Sequence, residues 1–399
     1  MLFRSHIAAL PKLNWLCLSG NFSDRSMISL TECPSLKLLE IHIESFSDKG
    51  MRYISQIPNL EGFKAHWMEK ITNQGVSYLK SVSNLKKLDI KHAAITEQAL
   101  HDLGTMTSLE YLMLPDQFTD SGVEMLSGLK KLNFLWINTS SNSTLSNRSM
   151  KVVSGFPLLE ELHISGTNIN DEGIRQLNQL KMLRVLNLCM INLTDQSFKS
   201  LDGLKKLERI TFYPPIPLST NGLNHLNPLT ALKNINCHNT TKGTQPLNLS
   251  GLKHLESLIL IMDQDYKKGP GRAYRSLLGD EDVKFLEKLE TLDEFHLLGA
   301  ELSNAGFKSI AGLPKLHWLK LSGPLKIADA DFSVFPLDSP IINISIDFGH
   351  FTGTCLDHLT KLKYLRQLEL TTDTRLDNNR INKFKNDSQI QHIKFTPRK

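Results

Sequence analysis

Tyr111 and Met113, followed 23 residues later by Phe134 and Trp136, form two pairs of large apolar side chains, each pair split by one leucine. Glu161 and His163 repeat that arrangement with a carboxylate and an imidazole. Rings and a thioether beside polar groups have the composition of a protein-binding hot spot. Their chemistry is recognition rather than bond making. Trp15 and Trp318 stand in the same sequence setting, and a tryptophan that no core requires is well suited to anchor an interface. Two plainer readings compete. Aromatic residues favour strands in any case, and the polar insertion at 138–144 is placed to fold back over the cluster.

Other chemistries are weaker. Glu40, Lys64 and Asp89 alternate in sign at matching positions, which suits a solvated charge ladder worth a few tenths of a kcal/mol per pair. His42 and His66 are neighbours in the next column, but the sequence fixes no third ligand, so neither metal nor cofactor is expected. A second insertion, 263–277, carries Lys267, Lys268, Arg272 and Arg275 with Tyr266 and Tyr274 around Gly269-Pro270-Gly271. Such a basic loop suits an acidic partner or a phosphate backbone, or is simply solvated. With 46 basic against 41 acidic residues, a net charge of +5 disfavours nucleic acid as the main partner. GxSxG, HExxH, GxxxxGK[ST] and a strand-to-helix GxGxxG are all absent. The chain reads as a non-enzyme.

These residues are positioned by a repeat. The pattern L-x-x-L-x-L, with Ile, Phe, Ala or Cys sometimes replacing Leu, begins at Leu13, Leu36, Leu60, Leu85, Leu109, Leu132, Leu159 and Leu183. It continues at Leu207, Leu232, Leu255, Leu292, Leu316, Ile341, Leu365 and Ile390. Thirteen of the fifteen intervals are 23 to 25 residues, the others being 27 and 37. Alternation in the x-x-L-x-L half predicts a short strand with positions 1, 4 and 6 inward and 3, 5 and 7 outward. Ser47-Asp48, Thr72-Asn73, Thr119-Asp120, Asn170-Asp171, Thr194-Asp195 and Ser303-Asn304 supply a helix cap followed by an acidic or amide first turn. Neither half buries its apolar face alone, so the units must stack as a solenoid. The tenth unit, with Gly243 and Pro246 and no cap signature, is expected to lack a regular helix.

Over essentially its whole length the chain resembles the leucine-rich repeat family. The ITD-x-G-L-like helix starts, as at Thr119-Asp120-Ser121-Gly122-Val123, are similar to the short-helix repeats of bacterial proteins and of ubiquitin-ligase substrate receptors. Cys33-Pro34-Ser35-Leu36 resembles the cysteine-containing variant. The resemblance implies an α/β leucine-rich repeat solenoid, a curved horseshoe of about sixteen repeats with strands on the concave face and short helices on the convex face. The expectation is one domain, 1–399, binding a protein partner on the concave face. An alternative is the substrate-recognition or sensor part of a ubiquitin ligase or immune receptor. The rival from another class is an enzyme or small-ligand binder using outward histidines.

Residues 7–20 match 310–323 at eleven of fourteen positions, so the chain starts within a repeat without a capping module. A further segment or a partner covering the open ends is the expectation. Five cysteines, at 17, 33, 189, 237 and 355, make no disulfide framework. No stretch approaches the 18 or so apolar residues of a membrane helix, and the first residues lack a signal-peptide pattern. A cytoplasmic protein is expected. Nine N-x-S/T sequons would suit secretion if an upstream segment supplied a signal.

Overall fold

The computed structural model describes residues 10–66, 69–115, 118–137, 144–166, 168–189, 191–213, 218–262, 277–349, 351–372, 378–387 and 389–397. Its contacts divide the chain into two compact units, 1–192 and 193–399. The same repeat builds each.

In the first unit the strands are β1 (Trp15–Ser19), β2 (Leu38–His42), β3 (Gly62–Ala65) and β4 (Lys87–Asp89). They continue with β5 (Tyr111–Leu114), β6 (Phe134–Ile137), β7 (Glu161–Ser165) and β8 (Val185–Cys189). Each pairs with the next in parallel and in register, so equivalent repeat positions become lateral neighbours. Leu88, Leu112, Leu135, Leu162 and Leu186 form one such row, and all are fully buried. The row is the core, because each leucine is covered by the repeats on either side of it.

The second unit holds β9 (Arg209–Tyr213), β10 (Leu218–Ser219), β11 (Asn234–Thr241), β12 (Ser257–Met262) and β13 (Glu294–Leu298). It ends with β14 (Trp318–Ser322), β15 (Asn343–Gly349), β16 (Gln367–Thr372) and β17 (His392–Pro397). The inward row runs Ile210, Ile235, Leu258, Phe295, Leu319, Ile344 and Leu368. The sixteen expected strands are thus present, and β10 is a short addition that pairs with the end of β11. As expected, no helix forms over 242–256. Side chains of the preceding repeat hold that segment instead: Asn221 Oδ1 accepts the Gln245 amide at 3.0 Å, and Asn224 Oδ1 accepts the Asn248 amide at 2.7 Å.

The helical side carries a second lateral system that the cap signature only half announced. Ser47, Thr72, Ser146, Asn170 and Ser303 do cap their helices. The acidic or amide residue after or near each cap, however, reaches into the following repeat. Asp24 accepts the Ser47 amide at 2.9 Å, Asp48 the Thr72 amide at 2.8 Å and Asn73 the Thr96 amide at 2.8 Å. Asp120 accepts from the amides of Ser146 and Ser149, and in the second unit Asp195 and Asp280 accept the amides of Ser219 and Ser303. A carboxylate oxygen therefore satisfies a helix-start N–H that would otherwise lack a partner, one repeat away. In two of the repeats the tie leaves room only for a glycine. A Cβ on Gly75 would stand 2.3 Å from Asp48 Oδ1, and one on Gly306 would stand 2.4 Å from Asp280 Oδ1. After Asp120 the equivalent position is Ser149, whose hydroxyl joins the bond instead.

Burial opposes the charge of Asp120, but the hydroxyls and amides of Ser146 and Ser149 outweigh it and hold the carboxyl below its usual range. Asp329 goes further. Burial again opposes ionisation, yet the amides of Cys355 and Thr352 bring it down to about 2.

Two outcomes are expected. Gly75→Ala, which in an ordinary helix gains about 1 kcal/mol, should instead lower the urea midpoint, and a gain would show that Asp48 does not occupy the space. Between the ordinary 3.8 of Asp329 and its folded value of about 2, the unfolded chain binds more protons. Stability contributed by this group is therefore complete above that window and lost as pH falls through it. Asp329→Asn should flatten the acid limb of the stability–pH curve; an unchanged limb would contradict the assignment.

Candidate protein-binding surface

Parallel register places Tyr111 beside Phe134 and Phe134 beside Glu161, and it places Met113 beside Trp136 and Trp136 beside His163. All six alternate with buried leucines or isoleucines, so they project from the outward face of β5–β7. Tyr111 and Phe134 stack with centroids 4.0 Å apart and planes 15° apart. Trp136 stacks on the His163 imidazole at 4.3 Å and 18°, and Phe134 leans on the same ring at 5.5 Å. His163 Nε2 lies 2.7 Å from Glu161 Oε1, which fixes the ring, while Nδ1 is buried with no hydrogen-bond partner among the described residues. The six side chains make one continuous slab.

Their exposures differ in a way that assigns roles. Tyr111, Phe134 and Trp136 are half-buried, so part of each ring remains open to solvent. Met113 points outward by register but is only 7% exposed, because the Tyr111 hydroxyl donates to its Sδ at 2.8 Å. It supports the slab from beneath rather than offering a contact. The cavity beside Trp136 and His163, bounded also by Asn187 and Cys189, measures about 20 Å³. That is far below the roughly 300 Å³ of a small-molecule pocket. Burial, with the charges of Asp89 and Glu161 behind it, pushes the Tyr111 hydroxyl up to about 12.

The remaining candidates are scattered. Trp15, 56% exposed, lies on β1, four strands from the slab. Trp318, 46% exposed, belongs to the second unit, where it meets His296 edge-on at 5.1 Å. The basic loop residues Lys267, Lys268, Arg272 and Arg275 lie outside the described residues, as does 138–143 of the first insertion. Glu40, Lys64 and Asp89 do share one column. Glu40, however, is engaged by histidines, with His42 Nε2 at 2.9 Å and His66 Nε2 at 3.6 Å. Asp89 is buried and accepts the Lys91 amide at 3.4 Å.

A recurring pair went unread in the sequence. Glu40 and His42, Glu161 and His163, and Glu294 and His296 each form a Glu-x-His contact, at 2.9, 2.7 and 3.3 Å. The period of two residues per strand puts i and i+2 on one face, so the spacing itself was the available signal. Burial depresses the imidazoles of His66 and His296, with Asp89 and Glu294, respectively, partly offsetting it.

No protein-family model and no curated protein matches this sequence. Solved structures do match in fold. An internalin (InlF) from Listeria monocytogenes aligns with TM-score 0.58 and 17% identity over 94% of this chain and 89% of that one. A leucine-rich repeat protein from Leptospira interrogans aligns with TM-score 0.53 and 18% identity over 97% and 91%. The leucine-rich repeat ectodomain of the Arabidopsis thaliana receptor kinase GASSHO1/SCHENGEN3, solved in complex with Casparian strip integrity factor 2, gives TM-score 0.50 and 13% identity over 92% and 50%.

The slab geometry is open to a spectroscopic check. An alkaline ultraviolet titration should show one of the seven tyrosines ionising only at about 12, a step that Tyr111→Phe removes. Ionisation of every tyrosine near 10 in the folded chain would mean that Tyr111 is not covered as described.

Proposed function

Because the chain folds as a leucine-rich repeat solenoid, we propose that it is a non-catalytic recognition protein that binds a protein partner on the outward strand face. Tyr111, Phe134 and Trp136 are the anchors, with Glu161 and His163 as the polar rim and Met113 beneath. The observation that carries this reading is the stacked, half-buried slab itself. The inward leucines need nothing from these rings, and a half-covered tryptophan gains most when a partner completes its burial. Trp15 and Trp318 are secondary contacts.

The plant receptor-kinase ectodomain, a relative in fold, was solved in complex with another factor, which supports a recognition role for this fold. An enzyme or small-ligand role for the outward histidines finds no support beside His163, where the cavity is about 20 Å³. No helix among the described residues is long and apolar enough to cross a membrane. We place the protein in the cytoplasm, since all five cysteines are free thiols, as a reducing compartment keeps them. Residues 1–399 are read as one repeat domain.

The test compares Trp136→Ala with Leu135→Ala in affinity capture from the native host and in thermal unfolding. Trp136→Ala should lose partner binding, a truncation typically costing about 2 kcal/mol or more, with its melting temperature nearly unchanged. Leu135→Ala should lose about 2–5 kcal/mol of stability by opening a core cavity. A Trp136→Ala chain that melts several degrees lower and keeps its partners would make the slab structural.

A further inference from the structure

We propose that Cys17, Glu40, His42 and His66 form a zinc-binding site on the outward face at β1–β3, separate from the aromatic slab. The residues come from three successive repeats and meet through strand register alone. Cys17 pairs laterally with Glu40, and Ser19 pairs with His42, so the thiol, the carboxylate and the first imidazole occupy adjoining places on two strands. Their ligand atoms all lie within 4.8 Å of one another. His66 follows β3 directly and stacks on His42, with centroids 4.6 Å apart and planes 8° apart. Both rings aim Nε2 at one oxygen, Glu40 Oε1, at 2.9 and 3.6 Å. Two imidazole nitrogens therefore meet at one carboxylate oxygen, and the thiol lies within 4.8 Å of the ligand atoms of Glu40 and His42.

The donor set selects the ion. Zinc takes Cys, His and carboxylate ligands tetrahedrally at about 2.0–2.3 Å, which separates the ligand atoms by about 3.3–3.8 Å. The contacts to Glu40 need shifts of tenths of an ångström, and the thiol needs no more than about 1 Å to meet Glu40 and His42, all within side-chain reach. A thiolate and a carboxylate with two neutral imidazoles cancel the 2+ charge of the ion. Binding releases the thiol proton to solvent. Magnesium and calcium prefer all-oxygen shells and are poorly served here. Four protein ligands fill the tetrahedron, which makes the ion a staple across three repeats rather than a catalyst. The sequence displayed the two imidazoles, but Cys17 and Glu40 are joined to them only by the lateral pairing of β1 and β2.

The experiment uses the full chain, free of any histidine tag and stripped with chelator, titrated with Co²⁺ as a spectroscopic probe and then with Zn²⁺. One equivalent of Co²⁺ should produce tetrahedral d–d bands and a thiolate-to-cobalt charge-transfer band, and Zn²⁺ should abolish both. Zn²⁺ should also raise the melting temperature of the wild-type chain. Cys17→Ser should remove the charge-transfer band, and Cys17→Ser, His42→Ala and His66→Ala should each weaken Zn²⁺ by at least about tenfold, since even outer-shell losses cost that much. Circular dichroism should stay unchanged, because all three positions face outward. Absence of the bands at saturating Co²⁺, a charge-transfer band that survives Cys17→Ser, or Zn²⁺ affinity indifferent to His42→Ala would each overturn the proposal.

Discussion

A unit of about two dozen residues cannot cover its own apolar face, and everything else in this molecule follows from that. Each strand buries its inward leucines against the equivalent leucines of its neighbours, as the row Leu88, Leu112, Leu135, Leu162 and Leu186 shows. On the helical side the same lateral dependence is enforced by polar groups. Asp48 reaches Thr72, Asp195 reaches Ser219 and Asp280 reaches Ser303, each carboxylate closing the helix start of the next repeat. Apolar rows resist sliding weakly, because one leucine resembles another. A carboxylate bonded to a particular amide distinguishes one register from the next, as Asp48 does at Thr72 and Asp280 at Ser303.

This arrangement leaves the outward strand positions without structural duty. Their identities vary freely from repeat to repeat while their spacing stays regular, about 4.8 Å from strand to strand. The first unit uses that freedom twice. Across β5–β7 it sets rings in contact with one another, and across β1–β3 it sets two imidazoles on one carboxylate with a thiol close by. Neither group is local in sequence. Both exist because in-register parallel pairing turns a separation of some two dozen residues into a lateral step.

How much of this could be read beforehand depends on whether the signal was periodic or lateral. The strand positions, their inward and outward sides and the missing helix after Gly243 were legible, since each is a property of one repeat. The reach of Asp48 to Thr72 was not, because a cap followed by an acid reads equally well as a local helix start. The charge column of Glu40, Lys64 and Asp89 was placed correctly, but its pairing was not. His42, at i+2, and His66, just after the next strand, engage Glu40 instead. The outward position of Met113 marks it as a contact in the sequence, and only the Tyr111 hydroxyl and the neighbouring side chains show that it is covered.

The central claim is that polar ties between helix starts, together with the inward leucines, hold the repeats in register and free the strand face for recognition. Native-state amide hydrogen exchange measures it directly. The amides of Thr72, Ser146, Ser219 and Ser303 sit at helix starts, where amides without an intrahelical acceptor ordinarily exchange fast. Bonded to the preceding repeat, they should exchange as slowly as the strand amides of Leu112 and Leu135. Exchange at the rate of exposed turns would mean that the carboxylate ties do not persist in solution and that the leucine rows hold the register alone.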